Sequence, residues 1–151
     1  MAVVEVDNRS AVDLDGAPLV AQAEFMLARL ALHPDVELAI SLVDPEEIAD
    51  LHLRWLDLPG PTDVLSFPMD EVRAPAAGGD GEPGMLGDVV ICPQVAAEQG
   101  AEAGHGLPGE LELLLTHGIL HLLGHDHAEP EEHAAMFGLQ DELLAAWRGQ
   151  G

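Results

Sequence analysis

A single-domain α+β fold is predicted by three features of the sequence: its length, its hydrophobic content and the order of its apolar patterns. A chain of 151 residues has the length of one domain, residues 1–151, and 48% hydrophobic residues supply enough apolar surface for a core. Short stretches with strand-like alternation are interleaved with longer stretches of helical spacing. We therefore expect one α+β domain with about four strands and about five helices, and a histidine-rich helix at the centre.

The strands are predicted where apolar and β-branched residues alternate or run together and a turn signal follows. Leu42 and Val43 end such a stretch before Asp44, and Cys92 ends another before Pro93. The predicted strands are residues 2–6, 36–43, 61–68, which open with a turn, and 85–92. Residues 73–84 are rich in Gly, Pro and Ala without periodicity, and predict a loop.

The helices are predicted from apolar residues at intervals of three and four, together with start and stop signals. Pro45 follows Asp44 at a typical helix start, and the helix that begins there is expected to bury Ile48, Leu51 and Trp55. The other predicted helices are residues 18–32, residues 95–103 with Pro93 in the first turn, residues 110–123, and residues 130–147.

Histidines are concentrated at the end of the fourth predicted helix in the pattern H-x3-H-x2-G-x2-H. His117 and His121 are one turn apart, so both imidazoles project from one face and can bind the same metal ion. Gly124 can adopt the left-handed conformation that ends a helix, which turns the chain so that His127 approaches the same ion. The pattern predicts that this central helix binds a metal.

Three imidazole ligands are typical of catalytic zinc, because they leave the fourth tetrahedral position open to water. We therefore expect one zinc ion per chain, bound by His117, His121 and His127. His125 falls outside the register that the glycine sets and is expected to line the pocket. Asp126 either orients a ligand imidazole or caps the turn, and the sequence leaves both roles open.

Gly118 distinguishes this pattern from that of the metzincin proteases, which have a glutamate after the first histidine. That glutamate takes a proton from the zinc-bound water during peptide hydrolysis. Glu110 and Glu112 lie upstream on the same predicted helix, and Glu110 is about two turns from His117. Neither replaces the missing base by its place in the sequence, so peptide hydrolysis is disfavoured.

The charge of the chain is strongly negative, since 28 acidic residues stand against five basic ones and the net charge is −23. Such a charge repels polyanions and disfavours indiscriminate binding of nucleic acid, so an RNA substrate must be bound locally or presented by a partner, and no DNA partner is expected. The single cysteine excludes an internal disulfide and fits a reducing compartment. No secretory leader and no membrane-length apolar run is apparent, which predicts a cytoplasmic protein without a membrane partner.

Three stretches together resemble the signature blocks of the YbeY family of bacterial metal-dependent endoribonucleases: residues 61–68 (PTDVLSFP), 86–91 (LGDVVI) and 117–127 (HGILHLLGHDH). Their order, their separations and the chain length also fit. The resemblance implies a mixed sheet of four strands with surrounding helices and a zinc ion held by His117, His121 and His127. It also implies single-strand-specific cleavage in maturation of the 3′ end of 16S ribosomal RNA and in ribosome quality control. It implies ribosomal RNA, small-subunit ribosomal proteins and a ribosome-assembly GTPase as partners.

The chain departs from the family pattern in two places. His125 stands where the family usually has a tyrosine, and Trp55-Leu56 stands where it commonly has an aromatic residue followed by arginine. Arg54, before the aromatic residue, is our candidate for the group that grips the phosphate, with Arg73 as the alternative. An arginine suits this role because its guanidinium can bind the charge that develops on phosphate oxygens in a bidentate manner. A solvated helix residue is the other interpretation of Arg54.

Hydrolytic cleavage of RNA at a zinc site is the function that the sequence predicts, with Ser66 and Asp88 as weaker candidates for lining the cleft. The attacking group, a zinc hydroxide or the 2′-hydroxyl of the RNA, is left open. Two alternatives are a metal-dependent hydrolase of another substrate and a ribosome-assembly factor in which zinc is structural. The second suits a charge of −23, which favours docking on basic ribosomal proteins.

Overall fold

A mixed four-stranded sheet forms the framework of the protein in the computed structural model, which describes residues 3–69, 84–125 and 129–149. Its strands are β1 (Val3–Asn8), β2 (Glu37–Leu42), β3 (Val64–Pro68) and β4 (Met85–Ile91). The order is β1-β2-β4-β3, with β1, β2 and β4 parallel and β3 antiparallel to β4. The prediction of a mixed sheet of four strands is confirmed.

Five helices surround this sheet in the described part of the chain: α1 (Ala17–Arg29), α2 (Pro45–Leu56), α3 (Pro93–Ala103), α4 (Gly106–Leu122) and α5 (Pro130–Arg148). Proline stands in the first turn of α1, α2, α3 and α5, where its fixed φ suits a helix and its missing N–H costs nothing. No helix among the described residues is long and apolar enough to cross a membrane.

The two faces of the sheet bury different helices. On one face, alternate residues of β2 such as Leu38 and Ile40 pack with Val89 of β4 against α1 and α4. On the other face, Leu65 and Val90 pack against Ile48 of α2 and form a smaller core. Because successive side chains of a strand point to opposite faces of the sheet, α2 and α4 pack on opposite sides of it.

Helix α4 is the most enclosed helix, because it packs on the sheet with one side and on α1 and α5 with the other. Leu115 and Ile119 belong to the core beneath the sheet, whereas Leu120 packs with Met26 of α1 and Met136 of α5. The predicted central position of this helix is therefore confirmed. Its enclosure means that side chains on α4 are positioned by contacts on nearly every side.

Several predicted details are wrong. Trp55 was expected in the core, but its exposed fraction is 64%, because α2 covers the sheet mainly through Ile48. Helix α4 begins at Gly106, four residues earlier than predicted, since Pro108 is accommodated in its first turn. Helix α1 was predicted to continue to residue 32, next to His33-Pro34, but it ends at Arg29. Ala31, with a φ of 59°, lies outside the helical conformation. The predicted loop falls almost entirely within residues 70–83, outside the described residues.

Candidate functional site

His117 and His121 project from the same side of α4, as their spacing predicts. Their Nε2 atoms are 3.0 Å apart, and the two rings meet edge to face with centroids 4.5 Å apart. Two nitrogen ligands bound at about 2.0–2.1 Å to one tetrahedral ion lie about 3.3 Å apart, so this pair is close to the separation that a shared zinc requires. Both the donor type and the spacing of the pair fit zinc.

The other ring nitrogen of His117 has a partner on α5. Its Nδ1 is 2.9 Å from Oε1 of Gln140, a residue with only 3% of its surface exposed. An amide oxygen only accepts, so Nδ1 carries the proton and the lone pair of the neutral ring is on Nε2. The ring of Phe137, also on α5, packs on His117 with centroids 5.8 Å apart. Helix α5 thus fixes both the orientation and the tautomer of this histidine.

Gly124 ends the histidine helix as predicted, with a φ of 94°. Its N–H donates to the carbonyl of His121 at 3.0 Å, and the N–H of His125 donates to the carbonyl of Leu120 at 3.1 Å. This is the Schellman arrangement that glycine favours at a helix end. His127 and Asp126 lie outside the described residues, and within those residues no group of three His, Cys, Asp or Glu side chains gathers around one point.

A cavity of about 580 Å³ opens beside the two histidines, and we call it the histidine cavity. Two of its lining residues carry titratable groups that the sequence analysis missed, His52 on α2 and Asp63 before β3. The Nδ1 of His52 is 2.9 Å from the carbonyl of Gly60, so this nitrogen is the donor and Nε2 is the acceptor of the neutral ring. The other lining residues are His117, His121, Leu56, Leu58, Thr62, Val64, Leu65 and Ser66.

Gly118 is required by the packing of α4 on the sheet. A Cβ at this position would lie 2.7 Å from Cγ1 of Val89 and 3.3 Å from Oγ of Ser66. The hydroxyl of Ser66 donates to the carbonyl of Gly118 at 3.0 Å, which joins β3 to α4 at this point. The position therefore points into the sheet, so a glutamate side chain would have no room there.

Asp63 belongs to a chain of polar contacts that leads away from the histidine cavity. Its Oδ1 accepts from the N–H of Val64 at 2.7 Å. With the amide of Gln99 oriented to donate, its nitrogen lies 3.1 Å from Asp63 Oδ2 and 2.9 Å from Glu110 Oε2. The other carboxylate oxygen of Glu110 is 2.7 Å from Nε2 of His105. Buried Glu110, which the sequence places on the histidine helix, thus serves this network and turns away from His117.

Comparison with known proteins identifies the family. The family model described as Endoribonuclease YbeY matches residues 7–148. The chain belongs to the YbeY family. Endoribonuclease YbeY of Thermobifida fusca (strain YX) is 60% identical over 145 residues, 96% of this chain and 94% of that protein. Endoribonuclease YbeY of Nocardioides sp. (strain ATCC BAA-499 / JS614) is 56% identical over 147 residues, 97% of this chain and 99% of that protein.

A solved structure supports the fold assignment. The solution structure of TM1509 from Thermotoga maritima matches with a TM-score of 0.64 at 25% identity, covering 99% of this chain and 91% of that one. The suspected resemblance to the YbeY family and the α+β fold are both confirmed.

Arg54, the candidate phosphate clamp of this YbeY chain, lies on the solvent side of α2. Its side chain is 63% exposed and forms an ion pair with Asp50 at 2.8 Å, one turn earlier. Of the neighbouring α2 residues, His52 and Leu56 line the histidine cavity, and Arg54 is not among its lining residues. Arg73 lies outside the described residues. The assignment of either arginine to the phosphate stays a prediction.

The weaker site candidates, Ser66 and Asp88, line two different cavities. Ser66 lines the histidine cavity, whereas Asp88 lines a second cavity of about 770 Å³ between α2, the ends of β3 and β4, and Arg9. In this second cavity Arg9 is paired with Glu47 and Asp7, and these hydrogen bonds raise the pKa of its guanidinium further. His125 is half-buried at the helix end and is not among the residues that line the histidine cavity.

Proposed function

We propose that this YbeY protein is a zinc-dependent endoribonuclease, specific for single-stranded RNA, that matures the 3′ end of 16S ribosomal RNA and acts in ribosome quality control. The observation that carries the proposal is the His117–His121 pair, whose Nε2 atoms face each other at 3.0 Å beside a cavity. Membership of a family whose members are named endoribonucleases supports RNA as the substrate.

In this proposal one zinc ion is held by His117, His121 and His127. When bound, zinc supplies a Lewis acid for a phosphoryl oxygen and makes water more acidic. The role of α4 is to hold the two imidazoles without rotation, since it is packed between the sheet and α5. Preorganisation of this kind reduces the reorganisation that the reaction requires.

Proton transfer is assigned in this proposal to His52. Gly118 stands where metzincins have their glutamate base, so in this chain another group must accept or donate protons beside the substrate. His52 lines the same cavity as the zinc-binding pair, and its bond to Gly60 leaves Nε2 of the neutral ring as an acceptor. Arg54 is assigned to the phosphate, because an exposed ion pair is weak enough to be exchanged for a phosphate oxygen.

The charge of the chain favours delivery of the substrate by a partner. A net charge of −23 repels naked RNA at long range, but complements basic proteins. We therefore assign small-subunit ribosomal proteins, with a ribosome-assembly GTPase, as the partners that bring the ribosomal RNA to the site. Affinity for random RNA should be weak and should fall further as salt is raised.

The test is cleavage of a single-stranded RNA ending in the small-subunit 3′ region, by wild type and by His121→Ala purified identically. Cleavage that depends on zinc and is lost in His121→Ala supports the proposal. A 2′,3′-cyclic phosphate in the product identifies the 2′-hydroxyl as the attacking group, and a 5′-phosphate with a 3′-hydroxyl identifies water. Equal cleavage by both proteins contradicts the proposal and points to contaminating nuclease.

A ribosome-assembly factor with a structural zinc is the second candidate, and the net charge of −23 favours it. Equal cleavage in the test above, together with binding of the wild-type protein to small-subunit particles, would support this role. A hydrolase of another substrate would share the zinc site. The steric exclusion of any side chain at Gly118 disfavours peptide bonds, and a panel of RNA and peptide substrates distinguishes the two.

A further inference from the structure

We propose that Gln140 of α5 is a positioning residue that prepares His117 for zinc, by holding its Nδ1 proton so that Nε2 presents its lone pair. This inference rests on the zinc site proposed above. It concerns a side chain that lies 23 positions from His117 in the sequence and touches it at 2.9 Å.

The chemistry of this contact determines which ring nitrogen of His117 carries the proton. A neutral imidazole carries its proton on either nitrogen, and only the nitrogen without the proton can bind a metal. The carbonyl oxygen of Gln140 accepts from Nδ1, which places the lone pair on Nε2, the atom that faces Nε2 of His121 at 3.0 Å. The bond therefore selects the tautomer of His117 whose Nε2 can bind an ion beside His121.

Burial gives the contact its strength. Gln140 has 3% of its surface exposed and lies among Met136, Leu143 and Leu144 on the apolar side of α5. A buried amide costs free energy unless its polar atoms are paired, so a polar side chain retained among apolar neighbours needs a partner. Here the partner of its oxygen is the imidazole. Phe137, one turn earlier, packs on the same ring and restricts its rotation.

A second buried glutamine provides a matched control. Gln22 of α1 has 1% of its surface exposed, and its amide donates to Thr116 Oγ1 at 3.1 Å and to the carbonyl of Glu112 at 2.8 Å. Both glutamines thus tie a neighbouring helix to α4, at adjacent positions, but only Gln140 touches a histidine. Substitution of either glutamine would loosen the packing of α4, whereas only substitution of Gln140 would release the proton of His117 from Nδ1.

The experiment measures zinc affinity by competition with a chelator in the full chain, for wild type, Gln140→Leu, Gln140→Glu and Gln22→Leu. Outer-shell partners of metal-binding histidines typically contribute about 10- to 100-fold in affinity. We expect a loss of this size in Gln140→Leu, affinity close to wild type in Gln140→Glu, whose carboxylate accepts the same bond, and no more than a few-fold change in Gln22→Leu. Nitrogen NMR of the zinc-free proteins should find the proton of His117 on Nδ1 in wild type and shared between the two nitrogens in Gln140→Leu.

Two results would overturn the inference alone: equal zinc affinity of wild type and Gln140→Leu, or an equal loss in Gln140→Leu and Gln22→Leu. A proton on Nε2 of His117 in the zinc-free wild type would also overturn it. Failure of the wild type to bind zinc would instead overturn the proposed function, and with it this inference. RNA cleavage is not needed for any of these readings, so the two failures are distinguishable.

Discussion

The histidine cavity and the second cavity share α2 as a wall but differ in the chemistry that they present. On the histidine cavity α2 places His52 and Leu56, one turn apart, opposite the imidazoles of α4. On the second cavity it places Leu51 and Trp55, where the charged groups Arg9 and Glu47 neutralise each other. One helix thus supplies two faces by its spacing, and of these two cavities only the histidine cavity is lined by imidazoles.

The comparison teaches that the volume of a cavity is a poor guide to its chemistry. The second cavity is the larger, about 770 Å³ against about 580 Å³, and holds more charged residues. Its cation is already paired, however, while Nε2 atoms of histidine are the ligands that zinc prefers. We therefore assign the chemistry to the smaller cavity, and the following substitutions test that assignment.

The largest effect is expected from His121→Ala. Loss of a ligand should lower zinc affinity by more than about 100-fold, the upper end of the effect of outer-shell partners, and RNA cleavage by at least about 10³-fold. Asp88→Asn, in the second cavity, should leave both unchanged. Zinc per chain by elemental analysis and cleavage rate measure the difference. A cleavage loss in Asp88→Asn as large as in His121→Ala would break the assignment.

A smaller loss is expected from His52→Asn. Positioned proton transfer contributes about 10²- to 10⁴-fold, so cleavage should slow by about 10²-fold or more while zinc content stays at the wild-type level. Asparagine can still donate to the carbonyl of Gly60, so the connection between α2 and the residues before β3 is retained. Unchanged cleavage would move proton transfer to Asp63, which Asp63→Asn tests directly.

Arg54→Ala distinguishes a clamp from a solvated residue. If Arg54 grips the phosphate, cleavage should slow by roughly 10²-fold with zinc content and thermal stability retained, and Arg54→Lys should rescue it only in part, since lysine lacks the planar fork. Asp50→Ala removes the ion pair that competes for Arg54 and should not slow cleavage. Full activity in Arg54→Ala with a large loss in Arg73→Ala would move the clamp to the residues before β4.

The smallest effect is expected where α4 packs on the sheet. Gly118→Ala places a Cβ 2.7 Å from Val89, so α4 must shift, and overpacking of this kind costs about 1–3 kcal/mol. Gly138→Ala on α5 meets nothing within 4 Å, and should stabilise by about 0.5–1 kcal/mol, as alanine does in helices. Chemical denaturation compares the two. Stabilisation by both substitutions would show that the α4–sheet contact tolerates a side chain.

Local signals were enough to predict the histidine helix from the sequence. The spacing of His117 and His121 sets which face they share, and Gly124 ends the helix with a φ of 94°, because both depend only on residues within two turns. For the same reason, α4 buries residues that stand at helical intervals of four, Leu111, Leu115 and Ile119. The family was also predicted from three short blocks and is confirmed.

Long-range packing decided what surrounds that helix. Trp55 has the spacing of a core residue but is exposed, because its burial depends on what α2 packs against. Gln140 interrupts the apolar side of α5, a signal that a buried polar group needs a partner, but the sequence does not name that partner. His52 and Asp63 reach the histidine cavity only through the tertiary fold, because α2 and the residues before β3 line the same cavity as His117 and His121.

The sequence by itself determined the family, the succession of strands and helices and the shared helix face of His117 and His121, since short-range spacing encodes each of them. The tertiary structure alone decided which side chains complete the cavity and which nitrogen of His117 carries the proton. The physical reason is that a helix period fixes direction within one element, whereas hydrogen bonds such as the one from His117 to Gln140 join residues 23 positions apart and exist only once the helices pack.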